Sequence, residues 1–491
     1  MTDAQTAVTR HRGAPVLYWL MVAAVVLISG WVHRQAGLTL PIPWNDESWV
    51  LFPALNVAAN NTLFAPELNP EKTVLCFPVF TTLMGLLFKV HAGDLEWARN
   101  LAWGFTQIGF LAASVWVARL RHPLIFGALA GAFMLSAPLV VAGNIVRPES
   151  LMLALAGLSL AAAAHRRYWA VFAAALAMPA VHVGGVMPGG LLALGALGLA
   201  WRERRRPGRG EWTALLLAAL VVAYYASVIL THWSDAARGY TQAYSHAMTH
   251  KEHGSFLSPW LLTFTAPAAG LACIALLFNR PLVLPALLAM GLSMIPAVRF
   301  QMWYECYKVW TILLLLLVGG SLLADLLDRR MPAAWPARLV VCVALLPVLL
   351  FSYRHGWLEG PNGYPRDMTW GWGMRMSDGT PYLEESDRLA LVAALRERFP
   401  DATGRLTVLP EGDMMVMRKG LAPFSYFQPV RTSVRADYLI IHESRYKPEW
   451  VRHQRLAEKD GFRYARTLHE RDGTEKWTLW LRPPPATGPG A

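Results

Sequence analysis

Apolar runs close to the length of a bilayer crossing recur through the first ~350 residues of this chain, and no other feature narrows its possible folds so far. A helix needs roughly 17–25 apolar residues to cross the hydrocarbon core. Backbone amides in lipid must be satisfied within their own segment, so the runs read as helices. Composition agrees: of 491 residues, 55% are hydrophobic and 16% charged, and mean hydropathy is +0.32. The first run follows Arg10 and Arg12 without a small-residue cleavage site before Trp31. It is expected to remain as a span and not to leave as a signal peptide.

A formal net charge of +12 would suggest nucleic acid as partner in a soluble protein. Here much of the excess lies in short loops between apolar runs, where the positive-inside rule accounts for it, and no nucleic-acid partner is expected. Arg10/Arg12, Arg119/Arg121, Arg166/Arg167, the run Arg202 to Arg206, Arg280 and Arg329/Arg330 fall on one side when about eleven spans are drawn. These spans lie near 15–33, 97–118, 124–142, 149–164, 168–182, 184–200, 212–231, 259–278, 282–298, 304–326 and 337–353. The interval 34–96 then becomes a long outer loop. Its apolar stretch from Val74 to Val90 reads as an interfacial or re-entrant helix, because a further crossing would move every later basic cluster to the wrong face. The segment 232–258 reads as a second outer loop, polar and rich in His and aromatic residues.

The pattern changes after residue 353. Gly, Pro and Trp crowd 356–381. Glu385 to Phe399 then carries Leu389, Val392, Leu395 and Phe399 at helical spacing. Leu406–Leu409 and Tyr438–Ile441 read as short strands, and Glu449 to Lys459 as a helix stopped by Gly461. Phe462–Leu468 and Lys476–Leu481 flank Asp472-Gly473, a hairpin signal. The expected architecture is a polytopic all-α membrane domain over 1–353 and a small α/β domain over 354–482, followed by a disordered tail over 483–491. With an odd number of spans and an inner N-terminus, the α/β domain lies outside the cytoplasm.

Four groups of residues could carry chemistry. Asp46 and Glu47, in Trp44-Asn45-Asp46-Glu47-Ser48, place two carboxylates just beyond the first span. A charge at that boundary must sit in water, pair, or react. A carboxylate could serve as the base that activates an attacking hydroxyl; the ordinary alternative is a solvated helix start capped by Asn45 or Asp46. Arg147 and Glu149, in Asn144-Ile145-Val146-Arg147-Pro148-Glu149-Ser150, open a later helix on the same face. The guanidinium fork suits phosphate oxygens, whereas Pro148 and Glu149 are also ordinary helix-start residues. In Arg299 to Lys308, Arg299 and Lys308 could neutralise a lipid phosphate, and Tyr304 and Tyr307 could bond to it or stack on a sugar, or the segment could be an aromatic belt with snorkelling cations.

His246, His250 and His253, with Glu252, resemble metal ligands but form no His-Glu-x-x-His; a polar substrate loop, with His250 as a candidate contact, is the preferred reading, and no metal or other cofactor is expected. His182 precedes Gly184-Gly185 and is either a substrate contact or a packing residue. The cysteines Cys76, Cys273, Cys306 and Cys342 form neither a disulfide framework nor a zinc site.

The long first outer loop with an acidic pair, the Arg-x-Glu at a later outer helix start, the span count and the outer C-terminal domain together resemble the GT-C superfamily of integral membrane glycosyltransferases. The likeness is to bacterial relatives of the dolichyl-phosphate-mannose protein mannosyltransferases and the lipid A aminoarabinose transferases. It covers most of 1–353 in architecture, and Leu409-Pro410-Glu411-Gly412-Asp413 is similar to a segment of the outer domains of bacterial members. The resemblance implies a sugar on a polyprenyl phosphate as donor, used on the outer face of the bacterial inner membrane. Its acceptor would be a glycan, lipid or protein. Asp46 then matches the catalytic acid of the first loop and Glu47 its neighbour, while Arg147 and Glu149 take the place near the donor phosphate, with Lys308 and Arg299 as looser matches. No His-Pro precedes the acidic pair, and no signature fixes the sugar. The competing class is a transporter or lipid flippase. It would place charges near the bilayer midplane and show internal repeats, and the sequence shows neither. A membrane transferase of another kind would instead place its key residues in 232–258.

Overall fold

The computed structural model describes residues 13–36, 45–64, 70–75, 77–91, 95–136, 139–140, 143, 145–249, 261–298, 305–330, 438–444, 449–459, 461–471 and 475–482. The described chain is mostly helical. In order the helices are α1 (Gly13–Ala36), α2 (Asn45–Asn60), α3 (Pro70–Leu75), α4 (Pro78–Phe88), α5 (Leu95–Val117), α6 (Pro123–Met134), α7 (Glu149–Ala164), α8 (Tyr168–Val181), α9 (Val186–Arg202), α10 (Arg209–Thr231), α11 (Trp233–Thr249), α12 (Ala266–Phe278), α13 (Val283–Val298) and α14 (Glu305–Arg330). A C-terminal unit follows, with β1 (Tyr438–Ser444), α15 (Glu449–Lys459), β2 (Arg463–Arg471) and β3 (Glu475–Leu481).

Four stretches are long and apolar enough to cross a membrane: Pro15–Arg34, Val183–Arg202, Arg209–Thr231 and Tyr307–Leu326. They coincide with four of the expected spans and mark the chain as a membrane protein. Five other expected spans correspond to shorter apolar helices, α6, α7, α8, α12 and α13. The span expected at 97–118 is the full-length helix α5, but Glu96, Arg99, Asn100 and Gln107 make it more polar than a simple lipid-facing crossing. The span expected at 337–353 lies outside the described residues, as do the helix at 385–399 and the strand at 406–409. The interval 34–96 contains α2, α3 and α4, and α4 falls within the helix expected over Val74 to Val90. Most of 232–258, polar in composition, is the amphipathic helix α11, whose apolar residues recur at helical spacing.

Packing follows small residues. A Cβ on Gly157 of α7 would lie 2.0 Å from the Gly109 carbonyl oxygen of α5, and one on Gly109 would lie 2.5 Å from the Leu153 oxygen. The two helix backbones are therefore in direct contact, which only glycine at both positions permits. Gly85 brings α4 onto α2 in the same way, against Val57. Buried residues of α1, α5 to α9 and α12 to α14 form one continuous apolar core. In contrast, α10 packs on α8 but buries only Ala218 among its own residues.

The bundle has two chemically distinct ends. At one, Arg119 meets His165 at 3.4 Å, Arg121 lies 3.8 Å from Asp325, Asn279 donates to Asp325 at 2.6 Å and Arg205 donates to the Arg166 carbonyl at 3.1 Å. Of the basic clusters read from the sequence, those at 119–121, 166–167 and 202–206 thus gather together. The opposite end holds the starts of α2, α5, α7 and α14 and the end of α8.

In the C-terminal unit the sheet order is β1-β3-β2, antiparallel throughout. Arg471 pairs with Glu475, closing the hairpin around Asp472-Gly473 as expected. Gly461, at φ 85°, ends α15: its amide bonds to the Glu458 carbonyl and that of Phe462 to Ala457, the left-handed cap for which glycine is suited. The buried Glu443 accepts from Thr478 at 2.9 Å and Gln454 at 2.6 Å, and Lys476 lies 3.1 Å away.

Candidate functional site

The segment 145–150 bends sharply before α7 and every residue in it is buried. Buried backbone amides need partners. The Val146 amide finds one in Glu47, donating to its Oε1 at 2.9 Å. The same carboxylate receives Arg99 of α5 in a two-pronged bond, Nε to Oε1 at 2.9 Å and Nη2 to Oε2 at 2.7 Å. Glu47 is 0% exposed and Arg99 1%. One side chain on the first turn of α2 therefore holds α5 and the turn before α7 together. Arg99 belongs to this site although the sequence reading does not name it; an arginine in the first turns of a helix as long as a crossing is the available signal. The solvated helix start considered for the acidic pair does not apply to Glu47. Asp46 occupies the preceding position on α2, and its side chain lies outside the described residues.

Next to Val146, Arg147 turns its guanidinium onto Glu149, with Nε 3.1 and 3.2 Å from the two carboxylate oxygens and Nη2 2.9 Å from Oε1. Ser150 Oγ donates to the Arg147 carbonyl at 2.9 Å and fixes the turn. His182, buried at the end of α8, places Nε2 4.0 Å from Glu149 Oε1. Its Nδ1 accepts from the Gly184 amide at 3.0 Å, so in the neutral ring the proton is on Nε2, toward Glu149. A Cβ on Gly184 would approach Nδ1 to 2.8 Å; glycine leaves the room that this bond needs.

Two aromatic rings face His182. Phe77, just before α4, has its centroid 4.7 Å away, and Tyr307 of α14 lies at 6.3 Å. Phe77 adopts φ 60°, a left-handed conformation that costs a bulky residue of order 1–3 kcal/mol and persists only where surroundings impose it. Tyr307 is fully buried, and the half-buried Lys308 follows it in the first turn of α14.

Glu47, Arg147, Glu149 and His182 therefore meet at one end of the bundle, and Tyr307 brings the start of α14, with Lys308, to the same cluster. His182 lies in this buried cluster at the end of α8. Arg299, Tyr304, His250, Glu252 and His253 lie outside the described residues, and His246 sits on α11. Among the described residues no group of His, Cys, Asp and Glu is arranged to hold a metal ion. Neither a scan against protein-family models nor a search of curated proteins finds a match for the chain.

Proposed function

We propose that this chain is a GT-C-like membrane glycosyltransferase that moves a sugar from a polyprenyl-phosphate donor to an acceptor hydroxyl by a single inverting displacement. The observation that carries the reading is the bond from the Val146 amide to Glu47. It joins the neighbour of Asp46 to the neighbour of Arg147, so the proposed base and the proposed phosphate ligand come from segments held against each other.

Asp46 takes the proton of the acceptor hydroxyl. The oxygen bonds to the anomeric carbon as that carbon's bond to the phosphate oxygen breaks, and the electron pair leaves with the phosphate. Arg147, with Lys308 or Arg299, holds the growing negative charge. Glu149 orients the Arg147 fork but also cancels its charge, so a second cation is needed and Lys308 fills that role. Glu47 acts as a strut and not as a second base, because both of its oxygens are engaged by Arg99 and Val146.

In this reading the protein sits in the bacterial inner membrane and uses its donor at the outer face, with the C-terminal unit on that side and a glycan, lipid or protein as acceptor. Supporting the orientation, the arginine-rich end of the bundle lies opposite the Glu47–Arg147 cluster, the polarity that positive-inside insertion gives.

The test is incubation of purified protein with a panel of radiolabelled polyprenyl-phosphate sugars, following release of the lipid phosphate. Wild type releases it from one donor. Asp46→Asn lowers the rate ~10²–10⁴-fold and Arg147→Gln ~10²–10³-fold. Near-normal turnover of Asp46→Asn would remove the base from the scheme, and no release from any donor would favour a transport function.

A further inference from the structure

The arginine-rich end of the bundle contains a surface that the proposed reaction does not use. The turn between α7 and α8 and the turn between α9 and α10 are bonded into one platform. Arg205 donates to the Arg166 carbonyl at 3.1 Å, Trp169 Nε1 donates to the Arg205 carbonyl at 3.0 Å, and the Arg205 guanidinium lies 5.9 Å from the Tyr168 ring centre. The acids nearby are already engaged. Glu203 pairs with Arg205 at 3.3 Å and accepts from Tyr168 at 2.8 Å, and Glu211 caps α10 by accepting from the Gly208 amide at 2.9 Å.

Arg166, Arg167, Arg202, Arg204, Arg206 and Arg209 remain. All are exposed, and among the described residues no hydrogen bond or ion pair engages their side chains. Six permanent positive charges on one platform repel one another and need anions from outside the chain. The adjoining surface states what kind. Trp201 is 86% exposed and Trp212 61%, and Leu216, Leu217 and Leu220 of α10 are bare beyond Trp212. Cations, then indole rings, then an uncovered apolar helix face is the order in which a phospholipid presents its phosphate, its interface and its acyl chains.

We infer that this platform is a binding site for anionic phospholipid headgroups, with the acyl chains along the open face of α10. The site is independent of the proposed transfer reaction.

Native mass spectrometry of the full chain in detergent tests it, with phosphatidylglycerol and phosphatidylcholine offered in turn. Wild type retains phosphatidylglycerol in preference, on the order of tenfold or more, and the triple variant Arg204→Gln/Arg206→Gln/Arg209→Gln loses that preference. A charge-matched control, Arg455→Gln/Arg463→Gln/Arg466→Gln in the C-terminal unit, keeps it. Should the platform variant fail to fold, raised salt must remove the preference from wild type by screening. Equal retention of the two lipids by wild type, equal loss in the control variant, or displacement of the lipid by inorganic phosphate at millimolar concentration would overturn the inference.

Discussion

Glu47 shows how much a single buried carboxylate can determine. Its pair with Arg99 is removed from water, so taking away one partner leaves an uncompensated charge; such losses cost about 3–5 kcal/mol. Glu47→Gln should therefore lower the thermal unfolding midpoint of the purified protein sharply. Glu47→Gln/Arg99→Met should recover part of the loss, because the orphaned guanidinium is gone. If the double variant is less stable than the single by the full cost of a second, independent substitution, the pair is not what holds these segments. At His182 the sensitive neighbour is Gly184. Gly184→Ala places a methyl group 2.8 Å from Nδ1 and breaks the bond that sets the ring. Transfer should fall while the protein remains folded, with the catalytic rate affected more than donor affinity; an unchanged rate would leave His182 a packing residue only.

At the scale of helices, the contact between α5 and α7 positions the site, since Arg99 lies near the start of one and Glu149 at the start of the other. Gly157→Leu forces the two backbones apart, and overpacking of this kind costs typically 1–3 kcal/mol or more. The expected result is a lower unfolding midpoint together with reduced transfer, whereas the same change at Gly198, where a Cβ would meet nothing within 4 Å, should be tolerated. Helix positions were legible from sequence because apolar runs, the Gly461 stop and the Asp472-Gly473 turn are local signals. The Glu47–Arg99 and Glu149–His182 contacts were not. They join residues far apart in sequence, and neither partner carries a local pattern that names the other. For the same reason α2 and α11 are not separable from loop by sequence alone: their polar residues are visible there, but the segments they pack against are not.

For the molecule as a whole, the segregation of charge between the two ends fixes a prediction of topology. In a background lacking Cys76, Cys273, Cys306 and Cys342, Arg206→Cys and Ala237→Cys sit beyond opposite ends of α10, both at exposed positions. A membrane-impermeant maleimide applied to intact cells should label the cysteine at 237 and reach the one at 206 only after lysis. Labelling of both from the same side would mean that α10 does not cross. That the arginines near 119–121, 166–167 and 202–206 share one end was readable from the basic clusters alone, since their spacing survives translation into structure whatever the packing. The expected tally of crossings was less secure, because α6, α7, α8, α12 and α13 are short and owe their burial to neighbours.

The bonds from Arg99 and the Val146 amide to Glu47 also order the protein's assembly. A ribosome delivers α2 first, Arg99 about fifty residues later and the Val146 amide after nearly fifty more. Until α5 has emerged, the carboxylate lacks the Arg99 guanidinium, and until the turn before α7 has followed, the join is incomplete. The first helices are thus held unfinished during biogenesis, and the buried cluster forms only once its later half has been made.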